Sequence, residues 1–290
     1  MDQVTVKAPA KLNLALDITG KTENGYHLMK MVMQAIDLYD TIRIRKNDTG
    51  KISLSCGLES VPCDERNIAY AAAEAFFQHC GIEERGVEIR LDKVIPQQAG
   101  MAGGSADGAG TLTALNELYQ TELSLPELCG IGKTVGADLP FCLTGGTAVV
   151  EGIGEIITPI ADFPDCDFVV AKPKGGISTQ RAFSEFDRAG IGPCLDITAM
   201  VKAIEDRDAA GACAQMYNAL ARVCPLKEVE AIQNIMTSCG AKGALMTGSG
   251  SAVFGVFTDR GKAYACERRL SQRYEECFLC KPISHGPVIE

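Results

Sequence analysis

From Lys11 to Ile18 apolar and polar residues alternate. Leu12, Leu14, Leu16 and Ile18 fall on one face of an extended chain, and Lys11, Asn13 and Asp17 on the other, which predicts a strand. Further strands are predicted at 40–46, 51–55, 87–91 and 147–151. The stretch 67–80 reads as a helix closed by Gly81, the usual residue just past a helix end. Ala106, Ala109, Leu112, Leu115 and Leu118 recur every third residue, the stripe of a buried helix, and another helix runs from about Leu125 to Gly136.

The segment "EGIGEIITPIADFPD" is rich in Gly and Pro and reads as a boundary between two domains, 1–156 and 157–290. Beyond it the pattern predicts a strand at 168–171 and helices at 198–206, 209–220 and 226–239. Strands at 243–246 and 252–257, a helix at 261–274 and a last strand follow. Strands and helices mix in both halves without a regular βαβ repeat, so the fold class is α+β.

Composition narrows the function. The 290 residues are 46% hydrophobic and 22% charged, a globular balance, and with 6% aromatics and no Trp the core is mainly aliphatic. A net charge of −9 argues against a nucleic-acid partner, so an anionic ligand must be met locally by backbone N–H groups and a few cations. No basic start leads into an apolar run, and no segment is apolar for membrane-spanning length; the expectation is a cytoplasmic protein. Thirteen cysteines are scattered, with one lone CxxC at Cys277 and Cys280 and only three His, which favours reduced, buried thiols over a zinc site.

The candidate chemistry sits in "PQQAGMAGGSADGAG", residues 96–110, a glycine-rich stretch between a strand and a helix. Its spacing fits neither G-x-G-x-x-G nor the Walker A pattern; "GIGKT" ends like a Walker A loop, but Glu127 stands where the first glycine belongs. Small residues from Ala99 to Ala106 let backbone N–H groups approach a polyphosphate, the next helix aims its positive end there, and Ser105 adds a hydroxyl. Taken alone, the stretch favours a phosphate loop but also fits a flexible loop before a core helix.

"PAKLNL" (9–14), "AGMAGGSADGA" and "TGSGSAVF" (247–254) resemble, in this order, the three motifs of the GHMP small-molecule kinases. Together with "GYH" (25–27), "GADLPF" (136–141) and "GIGE" (152–155), they resemble the branch that acts on a cytidine-diphosphate-linked methylerythritol in non-mevalonate isoprenoid synthesis. The resemblance covers nearly the whole chain. It implies an N-terminal ribosomal protein S5 domain 2-like fold, a C-terminal ferredoxin-like fold, and ATP-dependent phosphorylation of the substrate's 2-hydroxyl with Mg²⁺. The loop departs from the family at Met101, Ala102, Ala106 and Gly108, and Ala221 stands where many relatives carry an acidic residue.

Residue by residue, the resemblance makes Asp138 the general base and Lys11 its neighbour, stabilising charge on the transferring phosphoryl group. It assigns the ATP phosphates to Pro96, Gln97, Gln98, Ala99, Gly100, Met101, Ala102, Gly103, Gly104, Ser105 and Ala106. Asn13, Tyr26, His27 and Phe183 would bind substrate, with Tyr26 and Phe183 sandwiching the cytosine and His27 meeting its edge. The metal ligands stay unassigned, Ser105 being a candidate. A small-molecule partner carrying a cytidine diphosphate group, no membrane or nucleic-acid partner, and a monomer or weak homodimer complete the expectation.

Overall fold

The computed structural model describes residues 2–190 and 195–290. Two very long antiparallel strands organise the first sheet: β1 (Gln3–Lys21) and β2 (His27–Lys46). β3 (Ile52–Cys56), α1 (Ile68–Cys80) and β4 (Val87–Asp92) follow, with β4 and β3 extending the sheet beyond β2. α2 (Gly103–Tyr119), α3 (Leu125–Val135) and α4 (Leu139–Thr144) lead to the hairpin β5 (Thr147–Gly152) and β6 (Ile156–Pro159), which pairs with the first half of β2.

The second sheet starts with β7 (Asp167–Lys172). After it come α5 (Thr179–Ala189), α6 (Thr198–Glu205), α7 (Ala209–Ala214), the short β8 (Tyr217–Asn218) and α8 (Lys227–Ser238). β9 (Gly243–Met246), β10 (Val253–Phe257), α9 (Arg260–Ser271) and β11 (Glu276–Cys280) complete it in the order β11-β7-β10-β9, all antiparallel, the split β-α-β layout of a ferredoxin-like fold. β12 (Val288–Ile289) and β8 return to β1, so the later chain also closes the first sheet. The class is α+β, as expected.

Several local expectations change. Leu12 and Leu14 pack in one core with α1 and α2, but Leu16 and Ile18 pack in the other, with β7 and β10. The cause is a bulge: Asn13 faces Met33 and Ala15 faces Val32, so Leu14 is an extra residue and the alternation changes face there. Residues 209–220 are not one helix; α7 stops at Ala214, and β8 with a 3-10 turn at Ala219–Val223 follows. The Gly-rich "GIGE" is the β5–β6 turn, where the Glu155 carboxylate accepts from Ile153 N at 2.7 Å. α5 and the first half of β2 were not anticipated.

Glycines set how closely the first layer packs. A Cβ on Gly108 would stand 2.9 Å from Ile68 of α1 and 3.0 Å from Leu139 of α4, and one on Gly110 would stand 2.7 Å from Ile42 of β2. The departure from alanine at Gly108 thus permits close packing of α1 and α4 on α2. Gly110→Val should overpack this seam and cost about 1–3 kcal/mol of unfolding free energy in a urea titration. Gly130→Ala, on an exposed turn of α3 with nothing within 4 Å of the new methyl, should instead stabilise by about 0.5–1 kcal/mol.

Candidate active site

The glycine-rich loop leaves β4 and enters α2 through three left-handed residues, Gln98 (φ 50°), Gly100 (φ 75°) and Ala102 (φ 59°). Only at Gly100 is glycine dictated by space as well, since a Cβ there would lie 2.1 Å from the Thr247 carbonyl oxygen. Ala102 caps α2 without a side-chain hydrogen bond, and the first turn has no acidic residue. The N–H groups of Gly103, Gly104 and Ser105 have no intrahelical acceptor, so they and the positive helix end are available to an anion.

The third motif supports the loop from behind. Ser251 N donates to Gln98 O at 3.1 Å and Ala252 N to Ala99 O at 3.2 Å. Thr247 Oγ1 accepts from Asn13 N at 2.9 Å and donates to Gly100 O at 3.4 Å, while Lys11 N donates to Met101 O at 3.2 Å. Three motifs far apart in sequence are therefore one hydrogen-bonded unit. Asn218, which the sequence reading missed, supports it: its buried Nδ2 donates to Met246 O at 2.7 Å and Gly248 O at 2.8 Å, and its Oδ1 accepts from Leu220 N at 2.9 Å and Ala221 N at 3.3 Å. Ala221 thus has its backbone fixed by Asn218.

Lys11 is buried and central. Its Nζ donates to Asn13 Oδ1 at 2.7 Å and to Gly100 O at 3.0 Å, and lies 3.8 Å from Asp138 Oδ2. Asp138 occupies the cap position of α4 yet makes no capping hydrogen bond, and its side chain is 33% exposed. The carboxylate is therefore free to face the cleft. Asn13 Nδ2 reaches Met31 Sδ at 3.3 Å.

A second buried cluster lies under the loop. Lys93 Nζ contacts Asp40 Oδ2, lies 2.6 Å from Asp107 Oδ2 and donates to Gly103 O at 3.3 Å. Asp40 also accepts from Val94 N and Ile95 N, whereas Asp107 Oδ1 has no partner. Burial pushes the Asp107 carboxyl up to about 7 despite Lys93, and the two carboxylates hold the Lys93 ammonium above its usual range against the opposing effect of burial. Nothing at short range in the sequence joins Asp40, Lys93 and Asp107.

These groups open on a cleft of about 500 Å³. Its walls include Lys11, Asn13, Pro96 to Ser105, Asp138 and Phe183, together with Met29, Met31 and Met33 of β2. Ala106 is instead buried in the core behind the loop. Tyr26 and His27 do not line the cleft. Tyr26 is 63% exposed, and it is the His27 ring that stacks on Phe183, with centroids 4.4 Å apart at 22°. Phe183 thus meets the His27 ring, and Tyr26 is outside this stack. "GIGKT" falls in the second half of α3, where Thr134 Oγ1 bonds back to Ile131 O, away from this cleft.

Twelve described cysteines are unpaired; burial pushes the thiol of Cys277 up to about 12 and that of Cys280 higher, so the CxxC pair is held protonated. Among the described residues no cluster of three or more His, Cys, Asp or Glu is placed to hold a metal, and no helix is long and apolar enough to cross a membrane.

A glycine-rich loop at a helix start, a lysine–carboxylate pair and a two-sheet scaffold around one cleft define a class. Residues 67–146 match the model of the GHMP kinases N terminal domain and residues 200–276 that of the GHMP kinases C terminal domain. A homoserine kinase from Cytophaga hutchinsonii shares the fold, with a TM-score of 0.80 at 18% identity over 100% of this chain and 98% of that one. A 4-diphosphocytidyl-2-C-methyl-D-erythritol kinase of Clostridium beijerinckii is 42% identical over 281 residues, 96% of this chain and 99% of that one. A crystal structure of a 4-(cytidine 5'-diphospho)-2C-methyl-D-erythritol kinase superposes with a TM-score of 0.81 at 30% identity, covering 96% and 98% of the two chains. The chain is a GHMP kinase, and within that class it belongs to the 4-diphosphocytidyl-2-C-methyl-D-erythritol kinase family.

Two outcomes follow from the loop. Gly100→Ala drives a methyl into the Thr247 backbone, so calorimetry should find ATP binding weakened at least about tenfold, while Thr134→Ala leaves it unchanged. Because the Asp107 carboxyl titrates higher folded than unfolded, its contribution to stability is fully present below about pH 4 and is lost as pH rises to about 7. Asp107→Asn removes that dependence. Its melting temperature relative to the parent should rise from pH 4.5 to 7 and level off above, and a difference independent of pH would contradict the assignment.

Proposed function

We propose that this protein transfers the γ-phosphoryl group of ATP to the 2-hydroxyl of 4-diphosphocytidyl-2-C-methyl-D-erythritol, giving the 2-phosphate and ADP in the non-mevalonate isoprenoid pathway. The observation that carries the mechanism is the Lys11 ammonium, which bonds the phosphate-loop carbonyl of Gly100 and stands 3.8 Å from Asp138. One buried cation thereby links the group that holds the donor to the group that meets the acceptor.

In this reading the N–H groups of residues 103–105 bind the donor phosphates, and the hydroxyl enters in line beside Asp138. Asp138 accepts the hydroxyl proton as the oxygen–phosphorus bond forms, and Lys11 balances negative charge on the moving phosphoryl group. Asn13 holds Lys11 in place. Phe183 supplies an apolar face for the cytosine at the far end of the cleft. Mg²⁺ is usually held by nucleotide phosphates plus one or two protein oxygens, and the Ser105 hydroxyl on the cleft wall is a donor of that kind. When bound, the ion would neutralise phosphate charge. The unpaired thiols support a reducing compartment, the cytoplasm, and a monomer or weak homodimer is the working state.

Asp138→Asn keeps the shape of the site and removes its base. Turnover of the cytidyl substrate, followed by coupled ADP release, should fall about 10²–10⁴-fold with KM nearly unchanged. Mevalonate, homoserine and galactose should give no comparable turnover with the parent enzyme. Near-normal turnover in the mutant, or preference for one of these alternatives, would overturn the reading.

A further inference from the structure

The turn between β1 and β2 is held from outside itself. Lys21 ends β1, His27 begins β2, and the two are register partners. Both reach the same carboxylate on α5: Lys21 Nζ donates to Asp187 Oδ2 at 2.8 Å, and His27 Nε2 lies 2.8 Å from Asp187 Oδ1. Phe183, whose ring stacks on His27, precedes Asp187 by four residues, so the two share a helix face. One face of α5 thus fixes the imidazole twice, by its plane and by its edge.

Asp187 and Lys21 do not line the cleft, whereas Phe183 does. The Asp187 and Lys21 side chains are 38% and 45% exposed, so their pair adds little to stability. The His27 side chain is only 14% exposed, shielded beneath the stack. Hydrogen bonds first from Lys21 and then from His27 hold the Asp187 carboxyl below its ordinary range, so it is ionised and accepts from both. What these contacts supply is position: they tie a turn of the first sheet to the helix carrying the aromatic wall of the cleft. A wall displaced by about 1 Å can cost orders of magnitude in binding or rate.

We propose that Asp187 is a positioning residue for the cytidine end of the substrate, latching the β1–β2 turn onto α5 and thereby fixing the His27–Phe183 stack. The proposal rests on the functional reading above and deepens it. The latch also sets where the exposed Tyr26, next to His27, stands relative to the cleft.

The test is steady-state kinetics on the full chain with the cytidyl substrate and ATP varied in turn, for the parent, Asp187→Ala, Asp187→Glu and Lys21→Met. Asp187→Ala should raise KM for the cytidyl substrate about tenfold, the worth of one charge-assisted hydrogen bond, with KM for ATP, kcat and melting temperature near parental values. Asp187→Glu should restore part of the loss, and Lys21→Met should show a smaller effect in the same direction. An unchanged KM for the cytidyl substrate, or both KM values rising together with a lowered melting temperature, would overturn the latch while leaving the substrate assignment standing. A parent enzyme that does not turn over the cytidyl substrate would overturn the substrate assignment and the latch with it.

Discussion

A buried ammonium needs partners, and the site is organised around that need. Lys11 lies almost wholly out of water, where an unpaired charge is very costly, so the groups around it have little freedom. Gly100 must present its carbonyl, Asn13 its amide oxygen, and Asp138 its carboxylate. Gly100 can do so only because Thr247 packs against a residue with no side chain. Loop conformation, position of the third motif and orientation of the candidate base are thus coupled through one cation.

The same economy appears under the loop, where a single Lys93 serves two carboxylates and a carbonyl of the first turn of α2. That arrangement anchors the helix whose free N–H groups face the cleft, without placing an acidic side chain among them. The cost is an Asp107 oxygen left without a partner and a carboxyl that resists ionisation. Behind the cleft-lining Phe183 the constraint is weaker and more exposed, resting on the hairpin contacts to α5.

Local elements with strong short-range signals were legible in the chain. Asn67 caps α1 and Gly81 closes it at φ 64°, as the glycine implied. The every-third-residue stripe is the buried face of α2, and the strands near 40–46, 87–91, 168–171 and 252–257 are present. The first half of β2 was missed because "HLMKMVMQAID" is buried or half-buried along nearly all its length and does not alternate. α5 did carry a signal, a Ser178 cap followed by buried Ala182 and Phe186, that short-range reading could have used. "YNAL" read as helix although Asn218 carries a local signal, its side chain accepting from Leu220 N and Ala221 N; the pairing of Tyr217 and Asn218 with β1 is what no local pattern reveals.

The sequence alone determined the two ends of α1, the α+β class, the small-residue loop with no bulk to block an anion, and the motif set that places the chain among its relatives. Each of these depends on interactions within a few residues or on residue identity. Tertiary structure decided what depends on distance: that Thr247 packs behind Gly100, that Asp40 and Asp107 share Lys93, and that the His27 ring lies on Phe183. It also decided, through one inserted residue at Leu14, which core receives Leu16 and Ile18. The physical reason is that burial and charge pairing are settled only when distant segments meet, because the energy of a buried charge depends on everything that surrounds it.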